Sequence, residues 1–361
     1  MDRFHVSQWN YRAEGNANIV LAYQGNDPLY KLGTLLRLKK DDGGEIASHD
    51  PVAFQKDIIG PLLGPDYLIP LRRVAVTPAF LQDMAHAIAP HRPHHRHHRG
   101  IDHRARFGLL TQDLTYRSIL TCELKPKWGF KPTSKQIVPE HARIKSTICR
   151  FCMHHFLKHK TLSDYCPLDI YSLDRCRMTR ALRAIQQDDH NDKFKVLHNQ
   201  SSVSPAQAAL EILSHDACLL PRLAELQTRL DTLDVEGIWP LYKRCPVDDI
   251  HDTQTWQSVV ERFLTAEVRD DPVQRILEYV LSMTFKDCSI LMSLYAYDPD
   301  LPFVELDGTR YAYAIKVIDT DMKKVSKIPL WYGLDQRIVQ NALQYALRRE
   351  CDAEKKYNVV A

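Results

Sequence analysis

No apolar run in this chain approaches the roughly 20 residues needed to cross a bilayer, so no membrane partner is expected. The amino terminus, MDRFHVSQWNYRAEGN, lacks the charged-then-apolar plan of a secretory leader, which points to the nucleus and cytoplasm. Neither GxGxxG nor GxxxxGKS occurs, and HRDxxxxN and DFG are also missing, which argues against a protein kinase. The nine cysteines are odd in number and scattered, so they read as thiols in a reducing compartment rather than as a disulfide framework. A formal net charge of +3 is too small to announce a nucleic-acid binder, and no specific nucleic-acid partner is expected. There is no internal repeat.

What the chain does have is size and clustered positive charge. Its 361 residues, 44% hydrophobic, are enough to build two lobes with substantial cores. Lysine and arginine gather in ELKPKWGFKPTSK, HARIKSTICRFCMHHFLKHK and DMKKVSK, three distant segments that a fold can bring to one cleft for a compact polyanion. A further basic, His-rich stretch, HRPHHRHHRGIDHRAR at 91–106, cannot bury itself and reads as a partly disordered loop.

The patterning predicts a β-rich front lobe over 1–115 and a larger mixed lobe over 116–361, an α+β class. Strands are expected at Ile19–Tyr23, Gly33–Leu38, Phe107–Leu110, Tyr116–Glu123, Ser289–Tyr295 and Tyr311–Ile318. One long helix is expected from Pro139 to near Lys160. Another starts at Ser204-Pro205-Ala206-Gln207, a capping-box signature, and opens a helical region with breaks near Pro221 and over 235–252. A helix follows Pro272, and an amphipathic helix from about Asp335 to Glu350 closes the chain.

Several positions can carry chemistry. Asp319-Thr320-Asp321 ends an apolar strand and offers two carboxylates to a magnesium ion bridged to ATP, with Lys323, Lys324 and Lys327 behind it; the same three residues also read as a surface turn. Glu123, Lys125 and Lys127 alternate along a strand, so all three are expected on one side, as a binding surface or as a solvated face. Asp287, at a helix-to-strand junction, can take a proton from an acceptor hydroxyl, or simply close a turn. Gly15 with Asn16, Ala17 and Asn18 forms a weak phosphate-cradle candidate. Cys149-x-x-Cys152 has metal-ligand spacing but no second CxxC, so packed thiols are the expectation.

Six segments carry a resemblance, in order, over nearly the whole chain: RAEGNANIVLAY (Arg12 to Tyr23), ELKPKWGF (Glu123 to Phe130), CRFCMHHFLK (Cys149 to Lys158), YCPLDIYS (Tyr165 to Ser172), KDCSILMS (Lys286 to Ser293) and KVIDTDMKK (Lys316 to Lys324). Together they resemble the inositol-pentakisphosphate 2-kinase family. The resemblance implies a two-lobed fold distantly like protein kinases, magnesium-dependent use of ATP, and transfer to the axial 2-hydroxyl of inositol pentakisphosphate to give the hexakisphosphate, by a monomer. Arg12, Gly15, Ala17, Asn18, Val20, Arg37, Glu123 and Asp319 would serve ATP; Asp319 and Asp321 would hold the metal. Asp287 would be the general base, with Lys125 in the catalytic group. Arg96, Lys125, Lys127, Lys158, Asn191, Lys323, Lys327 and Trp331 would hold the inositol phosphate. Asp321 stands where some relatives carry serine, and His155 replaces a usual glutamine. Plant relatives are described with a structural zinc, whose Cys/His set finds no counterpart between 235 and 270, so no zinc is expected. The competing readings are a kinase for another inositol phosphate and an idle binder of polyanions or RNA.

Overall fold

The computed structural model describes residues 5–41, 50–188, 192–250, 252–265 and 271–351. The chain divides into two compact units, one of Met1–Val52 with Ile69–Ser118, the other of Ala53–Leu68 with Ile119–Ala361. Each contains one five-stranded antiparallel sheet, and the helices belong mostly to the larger unit, so the class is α+β. Among the described residues, no helix is long and apolar enough to cross a membrane.

The smaller unit is built from β1 (Trp9–Glu14), β2 (Asn18–Tyr23), β3 (Thr34–Lys39), β4 (Arg72–Ala75) and β5 (Phe107–Gln112), in the order β1-β2-β3-β5-β4. Strict alternation drives the pairing: Ile19, Leu21 and Tyr23 of β2 and Leu36 and Leu38 of β3 are buried. They pack with Phe80, Leu81 and Met84 of a helix over Pro78–Ile88, which Thr77 caps by accepting from the Phe80 N–H. Arg37 stays on the opposite face from Leu36 and Leu38, as the alternation predicts.

A buried ion cluster organises the turn that follows β1. The Glu14 side chain is 1% exposed and receives both Arg92, at 3.0 and 2.9 Å, and Lys40. Arg92 also donates to the carbonyls of Arg96 and Arg99, at 2.8 and 2.7 Å. The His/Arg stretch is thus a loop with two short 3₁₀ turns, Ala89–His91 and His94–Arg96, anchored by Arg92 on Glu14 and by Arg99 and Arg104 on Asp41. Burial works to raise the Glu14 pKa, but the hydrogen bonds and charges of Arg92 and Lys40 outweigh it and hold the group at about 2. A depressed carboxylate stabilises the fold above its ordinary pKa of 4.5 and loses that contribution as pH falls toward 2. Acid unfolding of the smaller unit, followed by circular dichroism, should steepen in that window, and E14Q should flatten it.

The larger unit carries β6 (Leu120–Leu124), β7 (Phe194–Asn199), β8 (Ser289–Ala296), β9 (Phe303–Leu306) and β10 (Thr309–Ile318), ordered β7-β6-β8-β10-β9. In chain order the helices are α1 (Pro51–Phe54), α2 (Gly60–Leu63), α3 (Pro78–Ile88, described above), α4 (Pro139–Thr147), α5 (Arg150–His159), α6 (Pro167–Ile170) and α7 (Arg175–Gln187). They continue with α8 (Pro205–His215), α9 (Leu219–Leu230), α10 (Asp234–Arg244), α11 (Thr253–Leu264), α12 (Pro272–Asp287) and α13 (Ile328–Gln344). The main core lies between the second sheet and helices α7 to α9, α11 and α12. A separate cluster joins α4, α5, α6 and α13 to Cys351.

Four expectations need correction. The helix expected from Pro139 to Lys160 is two helices: Ile148 turns extended, and Cys149 starts α5 with its sulfur accepting from the Cys152 N–H. The terminal helix begins and ends earlier, over Ile328–Gln344, because Pro329 suits its first turn. Helix α10 occupies part of the expected break at 235–252, whereas the break expected near Pro221 is present: α8 ends at His215 and α9 starts at Leu219, with Pro221 in its first turn where no N–H is needed. The alternation of Glu123, Lys125 and Lys127 does not hold to its end: β6 stops at Leu124, and Lys127 has φ 65°. Ser204 does cap α8, although Gln207 reaches Asp307 rather than closing the box.

Candidate functional site

Sheet register brings the acidic positions of the larger unit together. Ile318 pairs with Ser289, and Leu124 with Ile290, so the ends of β6 and β10 meet the start of β8. The Ser289 hydroxyl lies 2.8 Å from Glu123 Oε1 and 3.3 Å from Asp319 Oδ2. One hydroxyl, with a single proton to donate, therefore sits between two carboxylates that sequence places far apart. Asp319 adopts φ 61°, a left-handed conformation that aspartate tolerates better than most residues.

Asp287 is the last residue of α12. Just before it, Lys286 is fully buried, 2.5 Å from Asp231 Oδ2 and 2.8 Å from the Ser282 hydroxyl, with its ammonium 4.2 Å from the Trp128 ring centre. That anchor turns the next side chain outward, and the Asp287 carboxylate is 61% exposed. Lys127 Nζ donates to its Oδ1 at 2.9 Å, and Lys323 Nζ stands 3.8 Å from its Oδ2. Loss of solvent works to raise the Asp287 pKa, but Lys127, Lys323 and Lys125 outweigh it and hold the group below the ordinary carboxylate range. Between Trp128 and Phe130, which stack at 5.6 Å, Gly129 passes the Tyr171 ring so closely that an added Cβ would sit 2.6 Å from it.

Lys127, Trp128, Lys286, Asp287 and Lys323 border a cavity of ≈ 360 Å³ in the larger unit. Arg150, Lys127, Lys158, Lys193, Lys323 and Lys327 line it, together with Trp331 and two carboxylates, Asp188 and Asp287. The crowding shows in the titrations. Lys193, which pairs with Asp192, is pushed down to about 8, first by burial and then by Lys127, Lys158 and Lys125. His154 is held near 3, first by burial and then by Arg150, Lys158, Lys127 and Lys193. Such a surface stores repulsion that an anionic ligand relieves.

Of the expected inositol-phosphate positions, Lys127, Lys158, Lys323, Lys327 and Trp331 line this cavity with the expected base, Asp287. Lys125 lies beside it, 3.9 Å from Glu123 Oε1. Arg96 belongs to the smaller unit, its guanidinium 3.4 Å from Asn16 Oδ1, and Asn191 falls outside the described residues. Asp321 is exposed, and its carbonyl accepts from the Thr284 hydroxyl at 3.4 Å. Within the smaller unit, Val20 faces Arg37 across β2 and β3. Gly15 N–H donates to the Asn18 carbonyl at 2.9 Å, Lys40 N–H to the Ala17 carbonyl at 2.8 Å, and Arg12 to the Thr115 hydroxyl at 2.9 Å.

Sequence reasoning missed Arg150, His154 and Lys193. A signal existed for two of them, because Arg150, His154 and Lys158 recur every four residues and so share one face of α5. Attention to the apolar stripe of that helix hid the polar one.

The larger unit thus has the makings of an α+β protein that takes a compact, highly charged anion beside an exposed carboxylate. A family model for inositol-pentakisphosphate 2-kinase matches residues 11–337. Proteins of that name from Arabidopsis thaliana and Danio rerio are 27% and 26% identical, over 92% and 97% of this chain and 93% and 98% of their own lengths. One from Cryptococcus neoformans is 29% identical over 92% of both chains. The chain belongs to the inositol-pentakisphosphate 2-kinase family.

Proposed function

We propose that this chain is an ATP-dependent kinase that moves the γ-phosphoryl group to the axial 2-hydroxyl of inositol 1,3,4,5,6-pentakisphosphate, giving the hexakisphosphate, in the nucleus and cytoplasm. The observation that carries the reading is an exposed carboxylate, Asp287, at the edge of a cavity lined by seven lysine and arginine side chains. A pentakisphosphate needs that many convergent cations, both for affinity and to shield its repulsion from ATP.

In this reading the two units are the lobes of a distant relative of protein kinases. Arg12, Gly15, Ala17, Asn18, Val20 and Arg37 serve ATP, and Arg96 serves the inositol phosphate. Asp319 and Asp321 would hold magnesium, whose positive charge would neutralise the transferring phosphoryl group. Glu123, which shares the Ser289 hydroxyl with Asp319, orders that side. Lys127, Lys158, Lys323 and Lys327 grip inositol phosphates, and Trp331 and Asn191 complete the set assigned to the substrate. Lys125 steadies charge on the phosphoryl group while Asp287 accepts the hydroxyl proton.

Incubation with Mg-ATP and a panel of inositol phosphates, with chromatographic identification of products, tests the proposal. Transfer confined to the pentakisphosphate with a free 2-hydroxyl is expected; no transfer, or transfer to other isomers instead, would end it. Lys193 adds a pH signature. Since its pKa lies near 8, its charge fades above that pH and polyphosphate affinity should fall, by at most about tenfold per pH unit. Calorimetry should show K193Q binding more weakly at pH 7 and losing this alkaline decline.

A further inference from the structure

Past Leu124 the chain leaves β6, and Lys125 to Gly129 run without helix or strand, so the backbone groups of this segment need partners from elsewhere. Three side chains supply them. The Tyr165 hydroxyl donates to the Pro126 carbonyl at 3.0 Å, and the Tyr171 hydroxyl to the Lys127 carbonyl at 3.2 Å. The third is Gln227, fully buried near the end of α9. Its Oε1 accepts from the Gly129 N–H at 2.7 Å, while its Nε2 donates to the Phe285 carbonyl at 2.9 Å and to the Lys127 carbonyl and Tyr171 hydroxyl, both at 3.2 Å. Phe285 stands two residues before Asp287, and its carbonyl is among the last four of α12, which have no partner inside the helix. One amide thereby joins the backbone that carries Lys127 to the backbone that carries Asp287.

We propose that Gln227 is a positioning residue that fixes the spacing between Lys127 and Asp287, the phosphate-gripping cation and the base of the kinase function proposed above, on which this assignment of roles rests. Three features agree. Gln227 faces one N–H and two carbonyls, a set that an amide alone satisfies: a carboxylate would set an oxygen against the carbonyls, and a hydrocarbon would strand the Gly129 N–H. Lys127 holds φ 65°, a conformation costly for a residue with a Cβ, which persists where the surroundings over-determine it. Four residues beyond Gln227, Asp231 takes Lys286, whose ammonium lies 4.2 Å from the Trp128 ring centre, so the chain neighbours of Lys127 and Asp287 are held by the same end of α9. Gln227 itself does not line the cavity. It acts through the 2.9 Å contact between Lys127 Nζ and Asp287 Oδ1.

A first test needs no substrate. In the ligand-free full chain, with isotope-labelled aspartate and Asp287→Asn to identify the signal, nuclear magnetic resonance follows the Asp287 carboxylate, which Lys127, Lys323 and Lys125 hold low. Gln227→Met should free Lys127 from it and move the titration to higher pH. Lys127→Gln should do the same, and the double variant should go no further than Lys127→Gln alone. Single-turnover assays with Mg-ATP and the pentakisphosphate supply the second arm. There Gln227→Met should slow transfer by ~10- to 10²-fold, as small misplacements of reacting groups do. Added to Asp287→Asn, which has no base left to align, it should change the rate by less than about threefold. An unshifted titration, or equal losses with and without Asp287, would reduce Gln227 to a packing residue and overturn the proposal. A coupled titration in a protein without kinase activity would uphold the spacing role and end the kinase reading instead. If the variants fold poorly, hydrogen exchange of the unaltered protein decides. The Gly129 amide, bonded to a buried side chain, should be among the slowest to exchange outside helices and strands, and exchange at the rate of an open loop would overturn the proposal.

Discussion

Asp287→Asn should slow phosphoryl transfer by ~10²- to 10⁴-fold while polyphosphate binds as tightly as before or more tightly. The amide keeps the shape of the carboxylate but cannot accept the hydroxyl proton. It also removes the negative charge that engages Lys127 at 2.9 Å and Lys323 at 3.8 Å. Both ammonium groups are then released to phosphates, so binding and turnover should move in opposite directions. A residue that merely shaped the pocket would lose both together. Single-turnover assays with calorimetric titration separate the two cases; a variant within a few fold of the normal rate would remove Asp287 from the reaction.

The depressed pKa of Asp287 sharpens this. In the free protein Lys127, Lys323 and Lys125 hold the carboxylate ionised to low pH, which makes it a weak base. Filling the cavity with phosphates neutralises those lysines and lets its pKa rise toward the working range. The acid limb of kcat, which reports the bound complex, should therefore lie at higher pH than the acid limb of kcat/KM. Coincident limbs would mean that the lysines do not control this group.

Lys145→Met should destabilise the larger unit by ~3 to 5 kcal/mol. The Lys145 side chain is 3% exposed and meets three buried carboxylates: Asp234 at 2.7 Å, Asp335 at 2.8 Å and Glu236 at 3.1 Å. His141 bonds Glu236 at 2.7 Å, and Arg150 reaches Asp335 at 3.3 Å. Methionine fills similar volume but leaves those acids facing one another without their common cation. The network joins α4, α10 and α13, so its loss should also loosen Trp331 and Arg150 at the cavity. Four of the five tryptophans belong to the larger unit, so denaturant unfolding followed by their fluorescence reports the right transition. A change below about 1 kcal/mol would show that solvent reaches the network and compensates it.

The parts of the site that sequence foresaw share a property: each rests on neighbours in the chain. Asp287 ends α12 because Asp271 caps its start and its apolar face spaces it from there. Asp319 follows β10 because Tyr313, Ile315 and Val317 alternate into the core. The parts that were missed have no local cause. Lys193 is an ordinary lysine until Lys127 and Lys158 approach it, and Arg150 a surface arginine until Asp335 and Trp128 flank it.

By itself, the sequence determined the α+β class, the two acidic junctions and the basic segments, because caps, alternation and turn residues act within a few positions along the chain. Only the tertiary structure decided that Ser289 stands between Glu123 and Asp319, that three acids share Lys145, and that Cys149, Cys152, Cys166 and Cys351 meet. Such meetings depend on register and helix packing, where forces between residues remote in sequence choose among arrangements that local preference leaves equal.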